Sequence, residues 1–205
     1  MLAVFDAGML SILIHPEATI PDDPSTGMPL TQAKERIAYL VNRLEEQRAT
    51  IIIPTPALAE FLFVVDETGA TYLRILHTYA SFDIREFDEK AAIECAESQR
   101  KAFAKGDKKS GGTGTYQKSK VDRQIISVAK ALQADVIYTT DDDVVRMVRT
   151  IGGLQVVAVW DLPLPTPDEE QHEQQRIIPG STADLFGGDD SSTDSPSLPS
   201  EPEQQ

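Results

Sequence analysis

Short apolar runs alternate along this chain with stretches in which apolar residues recur every three or four positions. The runs are Leu2–Phe5, Thr50–Ile53, Ser81–Phe87, Asp135–Thr139 and Leu154–Trp160. They are short and mostly rich in β-branched and aromatic residues, which suits strands buried on both faces. The helical stretches between them are Gly8–Ile14, Thr31–Arg48, Pro56–Val65, Gly69–Tyr79, Asp88 to about Phe103, Val121–Gln133 and Asp141–Ile151. In the second of these, Ile37, Leu40, Val41 and Leu44 fall at i, i+3, i+4 and i+7, which makes one core-facing stripe. Thr55 before Pro56, and Asp88 before its helix, are start signals. Strands alternating with helices predict an α/β fold in three layers, a central parallel sheet of about five strands flanked by helices.

Two stretches break the alternation. His15 to Leu30 carries Pro16, Pro21, Pro24, Gly27 and Pro29 and reads as an inserted surface loop. Lys105 to Ser119 is rich in glycine and lysine and reads as a second long loop. From Leu162 onward Pro, Ser, Asp, Glu and Gln dominate, so a folded domain at 1–162 and a disordered acidic tail at 163–205 are expected. Cys95 is the only cysteine, so no intrachain disulfide can form; it is expected as a small core residue. No run approaches the roughly 18 apolar residues of a membrane span. The first fifteen residues lack a basic start and carry Asp6, so they read as strand and helix and not as a leader. A cytoplasmic protein without a membrane partner is the expectation.

The net charge of −14 argues at first against a nucleic-acid partner. Its distribution changes the picture. Residues 161–205 carry eleven acids and one base, Arg176, a net of −10. Between Arg100 and Arg123 lie eight bases opposed only by Asp107 and Asp122, a local +6. Lys108, Lys109, Lys118, Lys120 and Arg123 are the candidate contacts to a polyanion such as nucleic acid in that run, and Tyr116 is a candidate for stacking on a base.

Four acids sit where strands stop or helices begin: Asp6, Glu60, Asp122 and Asp141. Open α/β sheets bind ligands outside the carboxyl ends of their strands, so these positions converge on one sheet edge. Singly, Asp6, Asp122 and Asp141 pass as helix caps or first-turn acids balancing a dipole. Glu60 resists that reading, because Ala57, Leu58, Ala59, Phe61 and Leu62 surround it. Carboxylates gathered this way call for a cation, and hard oxygen ligands select Mg²⁺ or Mn²⁺ over zinc. Gly106–Thr113 is a near miss to a phosphate-binding loop, but Gly112 stands where the lysine is needed.

The segments VFDAG, PALAEFL, KVDRQIISVAKALQADVIYTTDDDV and LQVVAVWD together resemble the PIN domain, and most closely its ribonucleases of the VapC toxin type. The resemblance covers about residues 1–162. It implies a PIN-like fold and a Mg²⁺- or Mn²⁺-dependent endoribonuclease acting on single-stranded RNA or the loop of a structured RNA. Asp6, Glu60, Asp122 and Asp141 match the family's catalytic and metal-binding acids, and Asp143 matches a further metal-site acid. Thr139 or Thr140 is expected to bond a carboxylate or a metal-bound water, and Asp142 to point away. The resemblance also implies a homodimer and an antitoxin protein as partner. Two other readings compete. One is a catalytically weak PIN-like module that binds RNA or protein, which the complete acid set disfavours. The other is an aspartyl-phosphate phosphatase, which wants an acid where Gly8 stands.

Overall fold

Ala3 and Phe5 of the first strand, β1 (Leu2–Phe5), face one side of a sheet and Val4 faces the other, and all three are fully buried. The same alternation holds in β2 (Thr50–Pro54), where Ile51 and Ile53 join Phe5, and Ile52 joins Val4. In β4 (Val136–Thr139), Val136 and Tyr138 lie on the first side and Ile137 on the second. A strand buried on both faces needs a continuous apolar run, which is why these segments read so clearly in the sequence. With β3 (Phe82–Arg85) and β5 (Gln155–Ala158) they form one parallel sheet in the order β3-β2-β1-β4-β5. The coordinates are a computed structural model and describe residues 1–65 and 68–165. The tail expected to be disordered lies, from residue 166 onward, outside the described residues.

Helices cover both faces of the sheet. On the first side pack α1 (Ala7–Ile14), α2 (Ala33–Glu46), α3 (Thr55–Val65) and α4 (Gly69–Thr78), through Met9, Leu10, Ile37, Val41, Phe61 and Leu76. On the second pack α6 (Tyr116–Ala131) and α7 (Asp142–Ile151), through Ile125, Ile126, Val144 and Met147. Helix α5 (Glu89–Ala104), N-capped by Asp88 as expected, packs along α6. Truncating a side chain as buried as Ile137 to alanine removes about 2–5 kcal/mol.

Several details differ from the sequence reading. Helix α6 starts at Tyr116 and not at Val121, with Thr115 as N-cap accepting from the Lys118 N–H at 3.2 Å. Apart from Tyr116, its first turn is Gln117, Lys118 and Ser119, so apolar periodicity starts too late to reveal it. The 15–30 segment is pinned into a small hairpin by an antiparallel bridge between Asp22 and Pro29 and by the Leu30 N–H to the Pro21 carbonyl at 2.8 Å. Cys95 is only half-buried, because α5 turns much of its surface to solvent. The last strand ends at Ala158, and Trp160 belongs to a 3-10 turn.

Candidate active site

Strand order places β1 between β2 and β4, so the chain runs to one side of β1 and later returns on the other. In doubly wound sheets the ligand site lies outside the strands' carboxyl ends at such a switch point. Asp6 follows β1 and Asp141 follows β4, so the two acids flank it.

Asp6 is 5% exposed and caps α1 through Oδ1, which accepts the Met9 N–H at 2.8 Å. Its Oδ2 accepts from the Thr139 hydroxyl and from the Thr140 N–H at 3.2 Å. The auxiliary threonines therefore divide their work: Thr139 holds the carboxylate by its side chain, Thr140 by its backbone. Burial nevertheless pushes Asp6 up to about 6, with Asp141 adding repulsion. Gly8 is part of this arrangement. A Cβ built on it would stand 1.8 Å from the Thr140 hydroxyl, so only glycine lets α1 approach β4 this closely.

Asp122 sits in the middle of α6, seven positions into the helix, so the helix dipole does not explain its place as expected. It is 4% exposed, and its Oδ2 has no hydrogen-bond partner. Burial pushes it up to about 7; Lys118 opposes the rise, while Asp141, Glu60 and Asp6 add to it. Glu60 on α3 is half-buried and also raised, chiefly by burial, then by Asp6 and Asp141, against the pull of Lys118. The four acids thus repel one another across one site. Asp141 is the N-cap of α7: Oδ1 accepts the Asp143 N–H at 2.8 Å and Oδ2 pairs with Lys118. Among the described residues, no three His, Cys, Asp or Glu side chains stand close enough to hold an ion as they are.

Asp143 departs from its expected part. Its Oδ1 accepts from the Thr113 N–H at 2.8 Å, the Thr113 hydroxyl at 3.1 Å and Arg146 at 2.8 Å. Its Oδ2 accepts the Gly114 N–H at 2.7 Å. Burial works to raise this carboxyl, but the bonds from Thr113 and Gly114 outweigh it and hold it below its ordinary value. In this geometry Asp143 moors the glycine-rich loop. Asp142, as expected, points elsewhere, to Arg146.

Residues 30–149, more than half of the chain, match the PIN domain family. This chain belongs to that family. The matched span of this PIN domain takes in Glu60, Asp122 and Asp141, and Asp6 lies ahead of it. Solved structures similar to it include two complexes. One is VapBC2 from Rickettsia felis bound to a DNA fragment from their promoter, with a TM-score of 0.51 and 19% identity over 77% of this chain and 98% of that one. The other is DNA-bound VapBC from Salmonella typhimurium, with a TM-score of 0.49 and 17% identity over 78% of this chain and 99% of that one. No curated protein matches the sequence significantly.

The basic run of this PIN domain divides into separate uses. Arg123, expected to contact RNA, is instead 3% exposed and binds the loop from inside. It donates to Ser98 Oγ at 2.6 Å, to Ser110 Oγ at 3.0 Å and to the Lys108 carbonyl at 3.2 Å. Its position on α6, beside Asp122, turns it into the core. Lys108 and Lys120 are exposed, with their ammonium groups 5.1 Å from the Phe103 ring and 4.9 Å from the Tyr116 ring. Lys109 is half-exposed. Tyr116 is half-buried; its hydroxyl accepts from Gln99 at 2.9 Å and its ring meets Phe103 edge-on, so it has little ring face left for a base. No helix among the described residues is long and apolar enough to cross a membrane.

Proposed function

We propose that this chain is a Mg²⁺- or Mn²⁺-dependent endoribonuclease that cuts single-stranded RNA, or the loop of a structured RNA, as the toxin of a type II toxin–antitoxin pair. The observation that carries the reading is Asp122 Oδ2, a buried carboxylate oxygen with no partner, on a carboxyl that burial and the nearby Asp141, Glu60 and Asp6 push up. Buried polar atoms are rarely left unpaired, and a cation is the partner this donor set fits. PIN domains are typically nucleases, which agrees with that chemistry.

In this reading Asp6, Glu60, Asp122 and Asp141 hold the cation. When bound, the cation supplies Lewis acidity to the scissile phosphodiester and to the attacking water. The protein's own residues do the positioning. Thr139 and the Thr140 N–H fix Asp6, and the α7 cap fixes Asp141. Lys108, Lys109 and Lys120 at the loop and the start of α6 supply phosphate contacts, while Asp143 and Arg123 keep the loop in place. An antitoxin partner is supported by the VapBC2 complex whose fold this chain shares, and a homodimer in the cytoplasm completes the proposal.

A second reading, a PIN module that binds without cutting, is favoured by one observation: among the described residues, no three acids are close enough to grip an ion as they stand. Cleavage separates the two. Purified protein with Mn²⁺ is expected to cut single-stranded RNA, EDTA to stop it, and excess Mn²⁺ to restore it. RNA binding with no cutting at any metal concentration selects the binding module, and cutting that persists in EDTA removes the metal mechanism.

A further inference from the structure

Lys118 and Asp122 are four residues apart on α6, so they lie on the same face of the helix, one turn from each other. The Lys118 backbone is rooted at the Thr115 cap. Its ammonium reaches across to Asp141 Oδ2, with the lysine side chain 45% exposed and the aspartate side chain 25%. Asp122 and Asp143 also attract it, and Glu60 feels its charge. Lys118 therefore supplies positive charge to a site that gathers Asp6, Glu60, Asp122 and Asp141.

The two oxygens of Asp141 are not equivalent. Oδ1 is committed to the N-cap of α7. Oδ2 is the one that can face an ion in the site, and Lys118 holds it. A tethered ammonium and a divalent cation cannot both take that oxygen along the same direction. The ammonium brings one charge at no cost in association, and the cation brings two and can coordinate several carboxylates together.

We propose that Lys118 is a tethered counter-ion: its ammonium holds Asp141 Oδ2 in the metal-free protein and must leave that oxygen for a divalent cation to bind. The inference rests on the metal-dependent reading given above. It makes Lys118 a brake on metal loading, in place of the simple phosphate contact expected from the sequence.

The test is calorimetric titration of Mn²⁺ into the full-length wild type, Lys118→Met and Lys118→Arg at low ionic strength. Lys118→Met is expected to bind Mn²⁺ about fivefold more tightly, the order of a partly exposed ion pair. Mn²⁺ should also raise its melting temperature by more than it raises the wild type's. Lys118→Arg, which keeps the charge, should stay near wild type. Equal or weaker binding by Lys118→Met overturns the counter-ion role. Should that variant fail to fold, the wild type carries the test through acetic anhydride labelling read by mass spectrometry. Mg²⁺ should raise labelling of Lys118 several-fold while Lys130, paired with Glu94 at 3.6 Å, serves as reference. Unchanged Lys118 labelling overturns the inference. Absence of any Mn²⁺ heat with all three proteins removes the metal reading and this inference together. Wild-type binding with no gain in Lys118→Met removes this inference alone.

Discussion

A buried carboxylate oxygen without a partner costs a fold on the order of 1–3 kcal/mol unless a proton or a cation meets it. Asp122 Oδ2 is such an atom, and burial with the neighbouring acids pushes its carboxyl up to about 7. An unfolded aspartate loses its proton near 3.8, whereas the folded chain holds Asp6 to about 6 and Asp122 to about 7. Over that interval the folded state binds more protons than the unfolded chain, so its stability falls as pH rises. We expect the metal-free melting temperature to be highest toward about pH 4 and to decline through about pH 7. Asp122→Asn should flatten that decline and, at about pH 8, stabilise the metal-free protein on the order of 1–3 kcal/mol. A wild-type curve that is level or rising over the same range contradicts this account of the site.

At the scale of elements, the glycine-rich loop is held from two helices, by Arg123 of α6 and by Asp143 of α7. Asp143→Asn keeps a similar shape but loses half of the acceptor capacity. It is expected to expose residues 106–114 to proteolysis while changing Mn²⁺ affinity far less than Asp122→Asn does. Equal losses of affinity in the two variants would place Asp143 among the ligands. The sequence made Asp6 and Asp141 legible, because the carboxyl ends of buried parallel strands are fixed by apolar runs. Glu60 was legible for the apolar residues around it. The roles of Asp143 and Arg123 were not, since both depend on contacts with a loop that no local pattern places. A basic run reads as solvated whether or not one of its members turns inward. The start of α6 is hidden for a related reason: after Tyr116 its first turn is polar, and only the Thr115 cap marks it.

For the molecule as a whole, the −10 carried by residues 161–205 dominates the net charge of −14 and masks the basic run at 100–123. Charges of this size act over about 10 Å at 0.1 M salt. Truncation after Pro163 is therefore expected to strengthen RNA binding at low salt, with the difference shrinking as salt rises. Unchanged affinity at low salt removes any part for the tail in RNA binding. The central claim, that this PIN domain cuts RNA with a cation held by the four acids, is tested most directly by comparing Mn²⁺-supported cleavage of single-stranded RNA by wild type and by Asp122→Asn, each confirmed folded by circular dichroism. The account predicts a loss of several orders of magnitude in the variant; a folded variant that cuts at the wild-type rate contradicts it.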